Sequence, residues 1–322
     1  MKNKNAVLKI LAELCRLLIG VVFIFSGFVK AVDPMGGAIK IGEYLASFGL
    51  DMLQPFTVLL SFNLSAIEFA LGVCMLLGVY RRYVSFLILI FMAFMTPLTL
   101  YLALFDPVSD CGCFGDALVI SNWETFFKNI VLSLAAIVTF IYNQRLFQCF
   151  TFRAYWFVAL YAYLFGVGFA YYNYNHLPVI DFRPYKIGAN IPKLMEMPEE
   201  APQDEYKYTF VYEKDGVKKE FSLEDYPAND SSWTFVDSKT ELVKKGYQPP
   251  VAAFNIYNGK GDDVTEEIIG NPGPVLLLVA PKLEEADDEQ MDEINGVYDY
   301  ALEHDIPFYC FTGSSPEAID RS

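Results

Sequence analysis

Two cysteines one glycine apart, Cys111 and Cys113, sit in the short run DPVSDCGCFGDA between two strongly apolar stretches. Such a pair can exchange disulfides, form a passive link or bind a metal. A bridge between residues two apart is tight, because bridged α-carbons usually lie about 4.4–6.8 Å apart and an extended tripeptide reaches the upper edge of that range. Gly112 relieves the constraint by reaching backbone angles closed to other residues. Strained, exposed disulfides are the more oxidising and labile ones, so the spacing suits a group that passes a disulfide on better than a staple. Asp110 and Asp116 flank the pair and are expected to raise the thiol pKa values, since nearby negative charge disfavours a thiolate. Lys128 is the nearest basic residue downstream, and a flanking carboxylate could relay the proton during exchange. Two thiols without a nearby histidine supply only half of a zinc shell, so no dedicated metal site is expected.

What these sulfurs can meet depends on the elements that hold them. The 322-residue chain is 54% hydrophobic with a net charge of −15. Residues 1–174 carry 11 Lys+Arg against 9 Asp+Glu, and residues 175–322 carry 13 against 30. A near-neutral apolar half followed by an acidic one reads as a helical membrane bundle (1–174), a Pro-punctuated linker (175–202) and an acidic α/β domain (203–322). An acidic domain repels phosphate backbones, which argues against nucleic acid as a partner.

Crossing a bilayer as a helix takes about 20 apolar residues. Five runs qualify as spans, near 8–28, 55–79, 84–104, 126–142 and 154–172, and all would contact membrane lipids. Ser121 and Glu124 form a capping-box pattern at the start of the fourth. Lys9, Glu13 and Arg16 interrupt the first run and no small-residue cleavage site follows it, so it is expected to remain in place. Basic residues before span one, at Arg81 and Arg82, and at Arg145 and Arg153 favour the cytoplasm for those segments. The N-terminus is then cytoplasmic in an inner membrane, and the cysteine loop and acidic domain are extracytoplasmic (periplasmic). Only Cys111, Cys113 and Cys310 fall on that side, where disulfides persist. Cys15, Cys74 and Cys149 read as small hydrophobes.

Glu68 lies in the middle of the second span, where an ionisable group is costly and commonly functional. By helical rise, Arg16 of the antiparallel first span reaches a similar depth. A Glu68–Arg16 pair is the structural expectation, with Glu13–Arg16 as another pairing; a proton relay towards a quinone is the functional one. Asn63 is placed to bond across helices. Lys30, Asp33 and the DPMGG turn lie on the same outer face as the cysteines and are expected to lead into an amphipathic helix, and Tyr171, Tyr172 and Tyr174 to form an interfacial belt.

The run SGFVKAVDPMGGAIKIGEYL (Ser26 to Leu45) resembles the stretch after the first span of the DoxX family of membrane proteins, and EFALGVCMLLGVYRR (Glu68 to Arg82) is similar to that family's second span. The CGCFGD loop resembles the redox-associated branch near the MauE proteins of methylamine utilisation. The resemblance covers roughly residues 8–143. It implies a compact four-span core and a role in thiol, sulfur or quinone-linked redox, with a membrane quinone as the candidate cofactor. The fifth span and the acidic domain are additions.

In the acidic part, YTFVYEKDGVKKEFSL reads as a hairpin turning at Asp215–Gly216, with a third strand at 251–258. The final stretch reads as a βαβ unit with Met291, Ile294 and Tyr298 on the helix's apolar face. That order resembles the first half of a thioredoxin-like domain, as found in membrane-tethered redox proteins, but APKLEEADDEQ stands where Cys-x-x-Cys would be. Cys310 is expected in the core. The SSPEAIDRS stretch opens a last helix, and the domain is expected to be incomplete or atypical.

Two functions follow. One is a thiol–disulfide oxidoreductase acting through Cys111 and Cys113 on an extracytoplasmic redox or client protein, with Asp110, Gly112, Asp116, Glu68 and Arg16 in support. The other is a non-catalytic membrane scaffold whose external domain docks a partner.

Overall fold

The computed structural model describes residues 2–105, 108, 110–198, 201–202, 205–214, 217–222, 233–244, 246–247, 249, 251, 254–280, 283 and 291–315. The chain divides into two compact units, Met1–Arg183 and Pro184–Ser322.

The first unit is a helical bundle of α1 (Lys2–Val32), α2 (Pro34–Ser47), α3 (Thr57–Leu77), α4 (Arg81–Phe105), α5 (Asn122–Ile141) and α6 (Tyr155–Asn175). The segments Asp51–Leu77, Arg81–Phe105, Asn122–Ile141 and Phe152–Asn175 are each long and apolar enough to cross a membrane, and they coincide with the second to fifth expected spans. The first expected span lies inside α1, a helix of 31 residues that is not among these four segments. Phe94, Leu104, Leu134, Ile141 and Leu164 are exposed on the outside of the bundle, a surface suited to lipid contact.

Local chemistry sets the helix ends. The Asp33 side chain accepts a hydrogen bond from the Gly36 amide, with Pro34 at the first helical position, so α2 starts where the DPMGG turn was expected to release it. The capping box of Ser121 and Glu124 starts α5 at Asn122, four residues before the apolar run begins.

The core between α1, α3, α4 and α5 is built from Ile19, Phe23, Met75, Ile88, Met92, Leu132 and Ala136. Helices α1 and α3 meet almost backbone to backbone. A Cβ at Gly27 would lie 2.4 Å from the Phe69 amide nitrogen, and one at Gly72 would lie 2.5 Å from that of Ile24. Small residues at such crossings let helices without a hydrophobic driving force between them pack by close contact. The Tyr163 hydroxyl of α6 donates to Asn63 Oδ1 of α3 at 2.7 Å, the interhelical bond expected of Asn63.

The second unit contains α7 (Ile191–Met195), β1 (Glu205–Lys214), β2 (Val217–Ser222), β3 (Thr234–Lys244), α8 (Thr265–Ile269), β4 (Leu276–Val279), α9 (Met291–Glu303) and β5 (Phe308–Phe311). The first three strands form an antiparallel sheet in the order β2-β1-β3. Lys214 pairs with Val217, the register of the expected hairpin, whose turn at 215–216 lies outside the described residues. The third strand differs from expectation. It is β3, while the described part of 251–258 contributes only an isolated bridge from Tyr257 to Asp263. Residues 234–240 are all exposed, so that part of β3 has no buried face to impose the alternation by which strands are recognised.

Strands β4 and β5 pair in parallel, with Leu276 opposite Phe308, and α9 lies between them in the chain. The expected βαβ unit is therefore present. Cys310 is exposed rather than in a core; a sheet of two strands leaves its residues incompletely covered. The last helix expected from sequence lies outside the described residues from 316 onward.

Candidate functional site

The site grows from the loop between α4 and α5. The Asp110 carboxylate accepts from the Gly112 amide at 2.8 Å, a side-chain turn that starts the reversal. Gly112 follows with φ +64°, a conformation favouring glycine. The Gly115 amide then donates to the Gly112 carbonyl at 3.2 Å. This reversal turns both side chains inward, and the two Sγ atoms face each other at 2.7 Å.

Three elements hold the loop. Tyr44 of α2 donates its hydroxyl to the Cys111 carbonyl at 2.8 Å. Ser26 of α1 lies 2.8 Å from the Cys113 carbonyl and 2.7 Å from Glu68 Oε2. One hydroxyl hydrogen cannot serve both acceptors at once, so Ser26 joins the loop backbone to the Glu68 carboxylate through a single shared proton. Asn122 of α5 donates to the Val108 carbonyl at 3.0 Å.

Beneath the loop, Glu68 of α3 is 2% exposed and is paired with Lys30 of α1. The ammonium lies 2.7 Å from each carboxylate oxygen and 3.2 Å from Ser26 Oγ. Arg16 does not reach Glu68. It pairs with Glu13 at 2.6 Å and donates to the Met75 and Leu76 carbonyls at the end of α3. The reason is helix length: α1 continues to Val32, so Lys30 stands one turn beyond Ser26 and its long side chain reaches down to Glu68.

The two sulfurs have different surroundings. Cys111 packs with Leu102 and Val108, with Tyr44 and Met95 beside them. Cys113 lines a cavity of about 30 Å³ together with Ser26, Lys30, Glu68, Lys128 and Asn129. Phe23, Phe91, Met92 and Leu132 close its apolar side. The Lys128 ammonium lies 4.1 Å from the centre of the Phe114 ring, a cation–π contact.

The expectation that both thiols are raised fails for Cys113 and holds in direction for Cys111. The hydrogen bond from Cys111 lowers the Cys113 pKa to about 7, with Lys128 and Lys30 acting in the same direction against burial. The hydrogen bond to Cys113 and burial push the Cys111 thiol far up. Asp110 is partly neutralised by Lys40 at 3.2 Å. Asp116 faces elsewhere, lining a small crevice with Asp33, Asp181 and Arg183.

The structure thus brings Cys111, Cys113, Gly112 and Asp110 together over Glu68, and leaves Arg16 and Asp116 apart from the sulfurs. Sequence reasoning missed Ser26, Tyr44 and Lys40; it named Lys128 as the nearest basic residue and Lys30 on the face of the cysteines, without giving either a partner. A signal existed: Ser26 and Lys30 are spaced i, i+4 at the end of an apolar run, and so share a helix face.

The cavity beside the sulfurs is small. Small-molecule pockets are typically about 300–1,000 Å³, and the cavity at Cys113 is a tenth of the lower bound. A larger apolar groove of about 380 Å³, lined by Ile67, Leu71, Cys74, Tyr83 and Leu87 among others, opens near the start of α4. The cysteine loop follows the other end of that helix.

With this geometry in hand, the comparison with known families is direct. Residues 8–142 match the family described as methylamine utilisation protein MauE. This MauE-like segment runs from α1 through α5 and includes the cysteine loop, Lys30, Glu68 and Lys128. In that part the chain is similar to MauE, consistent with a membrane accessory or redox-associated role. Residues 206–245, which cover most of the three-stranded sheet, match a domain of unknown function, DUF8463. Comparison with curated proteins found no match, and comparison with solved structures found none either.

Proposed function

We propose that this protein exchanges disulfides with an extracytoplasmic protein through Cys111 and Cys113, in an inner membrane with its N-terminus in the cytoplasm. The observation carrying this reading is the pair of opposed sulfurs at 2.7 Å, held by hydrogen bonds to both cysteine carbonyls. Closing them to a bond of about 2.05 Å needs only a small side-chain movement. The match to MauE supports a membrane redox role. The proposed exchange runs between the thiols of this pair and those of the partner.

The acidic C-terminal unit has a βαβ arrangement compatible with a partial thioredoxin-like domain. Cys310 is the cysteine in that unit, and a single thiol cannot run dithiol chemistry. We assign this unit to docking the exchange partner.

The test is thiol trapping in intact membranes, with a mass-shifting alkylating reagent applied before and after reduction. Cys111 and Cys113 recovered as a reducible pair, or linked to a second protein, support exchange. Both recovered as free thiols under oxidising and reducing growth conditions would refute it and leave a docking scaffold. Cys111→Ser/Cys113→Ser must also change the redox state of any captured partner.

A further inference from the structure

The exchange reading leaves open which sulfur carries the partner and in which direction electrons move. The two sides of the pair are chemically unequal. Cys111 lies against Leu102, Val108 and Met95, an apolar environment that disfavours a thiolate. Cys113 shares its cavity with two ammonium groups and one carboxylate. Lys30 is matched by Glu68 at 2.7 Å. Among the described residues, no carboxylate lies within ion-pair distance of Lys128, whose ammonium is held over the Phe114 ring. Helix α4 contributes only Phe91, Met92 and Met95 to the cavity wall.

The charge count follows. With Cys113 as a thiolate, the cavity holds two negative and two positive charges. With the cysteines bridged, it holds one negative and two positive. A low-dielectric cavity favours the neutral set, and that set belongs to the reduced pair.

Resting on the exchange reading above, we propose that the lysine-lined cavity makes Cys113 the leaving sulfur and Cys111 the sulfur that carries the mixed disulfide, so that the substrate is a protein dithiol and the pair is its oxidant. In the first step the partner's thiolate attacks Cys111 Sγ. The Cys111–Cys113 bond breaks, and its electron pair stays on Cys113 as a thiolate between Lys30 and Lys128. In the second step the partner's other thiol, having lost its proton to solvent, attacks its own sulfur in the mixed disulfide and releases Cys111, which takes up a proton. The partner leaves as a disulfide, having given two electrons to the Cys111–Cys113 pair, which ends reduced with Cys111 as a thiol and Cys113 as a thiolate. Thiol–disulfide exchange favours the leaving thiol of lower pKa, and a stabilised reduced form makes the disulfide a stronger oxidant. The depressed Cys113 pKa agrees with this direction.

The test equilibrates the purified full chain in detergent with glutathione buffers at pH 8, and reads oxidised and glutathionylated fractions by alkylation and peptide mass mapping. Glutathione is expected on Cys111. Lys128→Gln is expected to move the equilibrium towards the internal disulfide by about fivefold at pH 8, the effect of one pKa unit on the thiolate, and Lys128→Arg is expected to restore it. A thermal melt of each variant checks folding, and the arginine variant retains the charge if the glutamine variant fails to fold. Glutathione on Cys113, or an equilibrium unmoved by Lys128→Gln in a folded protein, overturns this inference while leaving exchange intact. A wild-type pair inert to glutathione at every ratio overturns both.

Discussion

Glu68→Gln isolates the ion pair that the bundle buries beneath the cysteines. The wild-type carboxylate is 2% exposed and its partner's side chain 13%. It accepts from Lys30 at 2.7 Å on both oxygens and lies 2.7 Å from Ser26 Oγ. Glutamine keeps the shape but leaves the ammonium uncompensated. Removing one partner of a buried pair costs about 3–5 kcal/mol. For a unit of this size each kcal/mol shifts the melting temperature by about 2–4 °C, so the expected loss is about 6–20 °C. The assay is thermal unfolding in detergent, followed by the fluorescence of tryptophans such as Trp123 and Trp156 and by size-exclusion of the heated sample. Because apolar replacement of both partners is often neutral, Lys30→Met/Glu68→Leu should recover most of the loss. A single variant melting within about 2 °C of wild type would refute the pairing argument. So would a double variant no more stable than the single.

Gly112→Ala places a Cβ at φ +64° and 3.1 Å from Lys40 Cγ; the left-handed conformation costs about 1–2 kcal/mol, so bridge formation in a glutathione buffer should slow by about five- to thirtyfold, and an unchanged rate would contradict the loop geometry. Alkylation of Cys113 in the reduced protein should be half-maximal near pH 7. Its rate should fall about tenfold per pH unit below that point as the thiolate is protonated. Cys111→Ala removes the donor that stabilises the thiolate, and should move the midpoint upward. Arg16→Met removes the bonds to Glu13, Met75 and Leu76, and should lower stability by about 1.5–3 kcal/mol for each lost charged hydrogen bond that leaves a buried acceptor, measured by the same melting assay.

Local chemistry made much of the architecture legible before any coordinates. The apolar runs located the four helices long enough to cross a membrane, because a bilayer demands length and hydrophobicity that few soluble segments combine. Asp33–Pro34 and Ser121–Glu124 announced two helix starts, because capping is a bond between near neighbours in the chain. The cysteine pair stood out for the same local reason, as did the βαβ unit with its two apolar strands. Strand β3 stayed hidden because residues 234–240, exposed on both faces, leave no hydrophobic period to read.

The partner of Glu68 was decided only in three dimensions. Arg16 and Lys30 both precede it on one helix, and choosing between them requires knowing that α1 runs on to Val32 and presses against α3 at Gly27 and Gly72. The character of the sulfurs was decided the same way. Read along the chain, Cys111 and Cys113 are framed by Asp110 and Asp116. Folded, Cys113 meets Lys30 from about eighty residues upstream and Lys128 from the next helix. Electrostatic influence falls with distance through space and takes no account of sequence separation. The residues themselves therefore determined that a thiol pair lies between two apolar helices, and the packing of α1, α3 and α5 decided which of its two sulfurs faces the lysines.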